Sequence, residues 1–167
     1  CDVCRRGRTF NGMSKSLKEI IKSLPYEPPF LFVDALENIT ENGSKGYYQL
    51  KKDEYFYQGH FPNNPITPGA ILIEIMAQIG LVCYGIYLAK EKIKGPEASV
   101  LPIFTSAAVD FLGPVFPEDK LEVTSEKIYY RFAKLKCLIT CKNITSNQVV
   151  CKGEFSGMIV NKDKIDQ

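Results

Sequence analysis

The stretch YFYQGHFPNNPITPGAILIEIMAQIG (residues 55–80), continued by LVCYGIYLAKEKIK to residue 94, holds the chain's only histidine, its densest prolines and its longest apolar run. Thr67-Pro68-Gly69 reads as a helix start. Thr67 offers a capping hydroxyl, Pro68 lacks the N–H that a first turn leaves unpaired, and Gly69 lets a ligand approach the backbone. The helix predicted to follow runs from Ala70 through Ile71, Leu72, Ile73, Ile75, Met76, Ala77, Ile79, Leu81, Val82 and Tyr84. It turns basic at Lys90, Lys92 and Lys94 and stops at Gly95-Pro96. A helix apolar nearly all round has to be wrapped by other elements. Glu74 and Gln78 interrupt it one turn apart, so both point the same way inside a buried helix.

About twenty apolar residues also match the span of a bilayer. Glu74 and Gln78 would then face lipid, and amphipathic strands surround the segment, so the buried core helix is the better reading and no membrane span is expected. His60 alone would ordinarily be a structural or surface imidazole, and Glu74 alone could be a hydrogen-bonded buried carboxyl. Together they carry more. An imidazole in a Gly/Pro-rich loop, followed by a helix start with free amide donors and a carboxyl in the second turn, gives three parts of one site.

At 167 residues the chain has the length of one domain. The division expected is a leader or appended segment over 1–12, a single domain over 13–160 and a polar tail over 161–167. Lysines and arginines number 21 against 19 acids, for a net charge of +2, and form no basic stripe, which argues against a nucleic-acid partner. Of six cysteines, Cys83 falls in the apolar helix and Cys137, Cys141 and Cys151 in strand-like runs. Buried free thiols of this kind suit a reducing compartment, so a cytoplasmic location is expected. Cys1 and Cys4 form one CxxC with no second pair, too little for a zinc site, and neither metal nor cofactor is expected.

Leu17, Ile20, Ile21 and Leu24 recur at helical spacing, giving a short helix over Ser14 to Leu24 that Ser14 or Ser16 caps. Phe30 to Ile39 reads as a strand, Asn42-Gly43 as a hairpin turn and Ser44 to Leu50 as the returning strand. Lys51 to Glu54 is a charged turn into the histidine loop. Beyond the helix, strands are expected over Ser99 to Leu112, Lys120 to Phe132, Lys134 to Ile144 and Gln148 to Val160. Gly113-Pro114 and Pro117-Glu118-Asp119 separate the first two, with turns near Ala133-Lys134 and Ser146-Asn147 between the rest. The order defines an α+β fold in which one greasy helix lies beside a mostly antiparallel sheet. One sheet covers one side of a helix, so a second copy of the chain is expected on the other.

The stretch Gly59-His60-Phe61-Pro62-Asn63-Asn64-Pro65-Ile66-Thr67-Pro68-Gly69, continued by Ile73-Glu74-Ile75-Met76-Ala77-Gln78, resembles the (3R)-hydroxyacyl-acyl-carrier-protein dehydratases of type II fatty acid synthesis, the FabZ-type members of the hot-dog superfamily. Weaker echoes lie at Leu24-Pro25, at Pro29-Phe30-Leu31-Phe32-Val33-Asp34, at Val109-Asp110-Phe111 and over Pro114 to Asp119, so the resemblance covers roughly residues 15–160. It implies a hot-dog fold, a sheet wrapped around one long central helix. It further implies a homodimer with both sites at the interface, often assembled into a hexamer, and as partner an acyl carrier protein bearing a 3-hydroxyacyl phosphopantetheine thioester. By the same resemblance His60 acts from one subunit and Glu74 from the other, with Gly69, Phe61 and Gln78 at the oxyanion and substrate-binding positions. No cofactor is implied.

The chemistry suits those positions. Dehydration needs a base for the proton beside the thioester, an acid for the departing hydroxyl and a donor for charge on the thioester oxygen. Neutral His60 suits the first, because an unperturbed imidazole titrates close to working pH. Glu74 suits the second if its apolar surroundings keep it protonated, and the Gly69 amide at the positive helix end suits the third. At about 1.5 Å per residue Glu74 lies about 7.5 Å along the axis from Gly69, so carboxyl and amide can flank one small substrate head. In an alternative version Glu74 holds a water and His60 makes both proton transfers. Glutamate at position 74 favours the FabZ-type enzyme over its dehydratase-isomerase relative. Ile71, Ile75, Ile79, Phe104 and Phe111 are read either as lining of an acyl tunnel or as plain core; Tyr55, Phe56 and Tyr57 either gate that tunnel or pack.

The chain departs from the family pattern at Tyr26-Glu27-Pro28, where a basic, aromatic-containing segment is common, at Thr67, where methionine is frequent, and at Leu112-Gly113, where basic residues are common. Fewer cations leave Arg131, Lys134 and Lys136 to serve a carrier-protein docking surface, and the departures suit a specialised polyketide, aryl polyene or pigment pathway as well as fatty acid synthesis. Two other readings remain: a hot-dog acyl thioesterase, which gives His60 no task, and a non-catalytic acyl-binding subunit.

Overall fold

The computed structural model describes residues 13–92 and 100–161. The leader, Cys1 and Cys4, the stop at Gly95-Pro96 and the tail from residue 162 lie outside the described residues. Helix α1 (Lys15–Lys22) is capped by Ser14, whose hydroxyl accepts from the Leu17 amide, and its apolar side buries Ile20. The strands are β1 (Ala35–Ile39), β2 (Gly43–Gln49), β3 (Val100–Phe111), β4 (Lys120–Arg131), β5 (Lys134–Asn143) and β6 (Gln148–Asn161). They form one antiparallel sheet in the order β1-β2-β4-β5-β6-β3.

Strand β1 is shorter than the sequence predicts. The sequence reads Phe30–Ile39 as one strand, but only Ala35–Ile39 forms the ladder with β2. Asp34 still donates its amide to Tyr47 O of β2 at 3.0 Å, but over residues 30–32 the chain takes its hydrogen bonds elsewhere: the Phe32 amide donates to Gln78 Oε1 at 2.8 Å, and Phe30 O accepts from Gln78 Nε2 at 2.9 Å. A side chain from the helix thus stands in for the neighbouring strand. The β4–β5 turn falls at Phe132-Ala133, one residue earlier than expected, with φ of 52° and 58°. Two successive left-handed residues make the two-residue hairpin whose twist matches the strands, reached here without glycine.

The central helix consists of α2 (Gly69–Ala77), a wide π turn (Gln78–Val82) and α3 (Cys83–Lys92). Gly80, inside the π turn, lets the helix settle onto β5: a Cβ there would lie 2.8 Å from Ile139 Cδ1. The Ser44 hydroxyl from β2 donates to Ile79 O across the same region at 3.4 Å. Ile75, Met76, Ile79 and Tyr84 are buried against Phe32, Leu121, Ile139 and Phe155. Each such side chain contributes about 1.5–3 kcal/mol. Length and hydropathy would let Gly69–Glu91 cross a bilayer, but 78% of its most apolar window is buried inside the protein, as the core-helix reading requires. Cys83, Cys137, Cys141 and Cys151 are buried and free, as expected.

The central helix by itself does not call for a second copy. The sheet, α1 and the segment before β1 cover most of the central helix within one chain. One uncovered edge is β3, a twelve-residue strand with exposed Ile103, Phe104 and Phe111. A long apolar edge with free backbone groups is a surface for strand pairing.

Candidate active site

His60 sits in a loop pinned from several sides. After the 3₁₀ turn Tyr55–Gln58, its amide donates to Phe56 O at 3.0 Å. The Ile66 amide returns to His60 O at 3.0 Å, and His60 Nδ1 lies 2.9 Å from Ile66 O. A carbonyl only accepts, so Nδ1 carries the hydrogen and Nε2 keeps a lone pair for another partner. The loop continues into the fold through Thr67, whose amide donates to Val115 O at 2.8 Å. Thr67 does not cap the helix. It is buried with Oγ1 2.7 Å from the Tyr57 hydroxyl, and Pro68 takes the N-cap position without a side-chain cap. Tyr57 is therefore packing for this loop, whereas Tyr55 is exposed. Phe61 stacks on the imidazole, with centroids 4.1 Å apart and planes 24° from parallel, and its other face is exposed.

Glu74 and Gln78 project from the same side of the helix, as their spacing predicts, and touch: Gln78 Nε2 donates to Glu74 Oε1 at 2.8 Å. The Gln78 amide is fully buried and saturated, its NH₂ shared between Glu74 and Phe30 O and its oxygen taken by the Phe32 amide. Its orientation is thereby set, and one carboxyl oxygen of Glu74 is held as an acceptor. Glu74 lines a cavity of about 30 Å³ between the central helix and strands β3, β5 and β6, together with Tyr26, Leu81, Phe104 and Met158.

Gly69 begins the helix, and a Cβ there would meet Phe111 Cζ at 2.9 Å. The space expected for a ligand over this glycine is, within one chain, filled by the Phe111 ring. Gly69 and Ala70 keep the amides that a first helical turn leaves unpaired. Of the other tunnel candidates, Ile75 and Ile79 are core, Ile71 is partly buried against it, and Phe104 lines the Glu74 cavity. Tyr26 is the functional candidate that sequence reasoning missed. Its only signal was the departure at Tyr26-Glu27-Pro28. Among the docking candidates Lys136 is engaged, its Nζ 2.6 Å from Glu154, while Arg131 lies over the Tyr129 ring at 5.0 Å.

Within one chain no hydrogen bond links His60 to Glu74 among the described residues. Among the described residues the imidazole contacts Ile66 and Phe61, and the carboxyl contacts Gln78 and its cavity.

A six-stranded antiparallel sheet around one long helix is the hot-dog architecture. Residues 24–157 match the FabA-like domain, and the chain belongs to that family. It is 34% identical over 144 residues to the 3-hydroxyacyl-[acyl-carrier-protein] dehydratase FabZ of Caldicellulosiruptor bescii, covering 84% of this chain and 95% of the relative. To the FabZ of Clostridium perfringens it is 35% identical over 145 residues, covering 84% and 95% respectively. Among solved structures, a chain of the dehydratase heterocomplex ApeI:P from Xenorhabdus doucetiae superposes with a TM-score of 0.72 at 17% identity, over 89% of this chain and 95% of that one. A coenzyme A-bound hypothetical thioesterase from Streptococcus pneumoniae shares the fold at a TM-score of 0.57 and 13% identity, over 75% and 84%.

Proposed function

We propose that the protein is a 3-hydroxyacyl-[acyl-carrier-protein] dehydratase, a hydro-lyase that converts a (3R)-3-hydroxyacyl thioester to the trans-2-enoyl thioester and water in fatty acid biosynthesis. The observation that carries the reading is the His60 Nδ1 contact with Ile66 O, which leaves Nε2 as an acceptor on a rigid loop. Nε2 takes the proton from C2, and the electrons of that C–H bond form the C2=C3 double bond. The C3–O bond breaks, and Glu74 gives its proton to the departing hydroxyl, which leaves as water. Charge developing on the thioester oxygen is met by the Gly69 amide at the helix N-terminus. Afterwards the imidazolium and the carboxylate exchange the proton through solvent, restoring the starting state.

Because His60 and Glu74 have separate surroundings in one chain, the reading makes the homodimer the catalytic unit, each site combining His60 of one subunit with Glu74 of the other. Edge strand β3, with Ile103, Phe104 and Phe111 exposed, supports pairing between copies. The substrate arrives on an acyl carrier protein, and the enzyme is a soluble protein of the cytoplasm.

Crotonyl-pantetheine separates the readings. Loss of the conjugated absorbance without release of free thiol is expected of the dehydratase running in reverse. Thiol release without hydration would mark a thioesterase and overturn the proposal.

A further inference from the structure

The cavity beside Glu74 has a second polar wall. Tyr26 follows buried Leu24 and sits with its ring 6.5 Å from that of Phe30, so the end of α1 and the Phe30 loop hold it over the central helix. Among the described lining residues only Tyr26 and Glu74 bring a hydroxyl or carboxyl; the other side chains are hydrocarbon or thioether. Among the described residues the Tyr26 hydroxyl makes no hydrogen bond, and Glu74 Oε2 makes none either, its partner oxygen being the one held by Gln78. Two hydrogen-bonding groups therefore share a cavity of about 30 Å³ without satisfying each other. A water needs about 10–15 Å³ of such space and two or more polar partners. Burial, with Glu74 and Cys83 nearby adding to it, pushes the Tyr26 phenol up to about 12, so it remains an O–H donor at working pH.

We propose that Tyr26 is a substrate-binding residue that donates a hydrogen bond to the 3-hydroxyl oxygen and, with Glu74, holds that oxygen as it departs as water. The inference rests on the dehydratase reading and deepens it: Glu74 supplies the proton, and Tyr26 supplies the second polar contact that an otherwise apolar pocket lacks. The pocket then distinguishes a 3-hydroxyacyl chain from a saturated one of the same length. A site built to hydrogen-bond a hydroxyl is left with an unpaired polar group when that hydroxyl is missing.

The test is Tyr26→Phe, which removes the hydroxyl and keeps the ring. With 3-hydroxybutanoyl-pantetheine as substrate and butanoyl-pantetheine as competitive inhibitor, kcat/KM for dehydration should fall about 10- to 100-fold, as for a hydrogen bond to a reacting group, while the inhibition constant stays within about twofold. Tyr26→His, which restores a donor, should recover part of the loss. Unchanged kcat/KM in Tyr26→Phe overturns the proposal, as does an equal loss of butanoyl-pantetheine affinity, which would mark Tyr26 as packing only. Wild-type protein without turnover would overturn the dehydratase reading and this inference with it, whereas active wild type beside an unaffected Tyr26→Phe sinks this inference alone.

Discussion

Gln78 holds Glu74 by one oxygen: its Nε2 donates to Glu74 Oε1 at 2.8 Å while the rest of the amide is consumed by Phe30 O and the Phe32 amide. The helix carboxyl and the irregular segment before β1 thus share one fully buried anchor. Gln78→Leu keeps the volume and leaves the Phe32 N–H and Phe30 carbonyl without partners. The expected loss is about 2–4 kcal/mol of stability, with turnover reduced about tenfold as Glu74 loses its orientation. Thermal unfolding checks the first and single-substrate kinetics the second; an unchanged melting temperature would contradict the anchoring role.

His60→Ala should lower kcat for crotonyl-pantetheine hydration by about 10²- to 10⁴-fold. The imidazole is outside the core cluster, so the variant should keep the wild-type oligomeric state by gel filtration. Near-normal turnover would remove His60 from the reaction.

Glu74→Gln should be comparably inactive. Mixed and allowed to exchange subunits with His60→Ala in equal amounts, half the dimers are hybrids, each with one intact site. Activity should recover to about a quarter of wild type. No recovery, with hybrids demonstrated by mass spectrometry, would place both groups of a site on one chain.

Gly80→Ala introduces a Cβ 2.8 Å from Ile139 Cδ1 and 3.0 Å from its Cγ2, in a fully buried contact. A destabilisation of about 1–3 kcal/mol is expected, and Ile139→Val in the same chain should return part of it. A shift in urea midpoint for the single variant that the second substitution fails to reduce would assign the strain elsewhere.

Alkaline pH should weaken the fold. Burial pushes the Cys137 and Cys151 thiols from an ordinary value of 9.0 up to about 11, and the Tyr26 and Tyr57 phenols from 10.0 up to about 12. A group whose folded value is raised keeps its proton in the folded state while the unfolded chain has lost it. Its contribution to stability is full below the unfolded value and is lost as pH rises through the folded one. The melting temperature should therefore hold steady from pH 7 to about 8.5 and decline between about 9 and 12. A flat profile across that window would show that these groups titrate as they do when exposed.

What local spacing encodes was legible in the sequence. The 3.6-residue period of the helix put Glu74 and Gln78 on one side, and the touching side chains agree. Alternation and turn residues located six strands, and an apolar helix implied its own wrapping. Family likeness, more than periodicity, singled out His60 and Glu74, since a lone histidine carries no spacing of its own.

Only the folded chain decided the rest, because those outcomes depend on groups distant in sequence. Nothing in the sequence of residues 30–39 breaks the strand, yet Gln78, 46 residues beyond Phe32, takes the hydrogen bonds that would have extended β1. Thr67 has the chemistry of a cap, but Tyr57 claims its hydroxyl. Strand order, which leaves β3 at the edge, and the meeting of Tyr26 with Glu74 in one cavity follow from how the sheet closes around the helix. Residue patterns set which face of each element is apolar; long-range packing chooses which polar groups find each other inside.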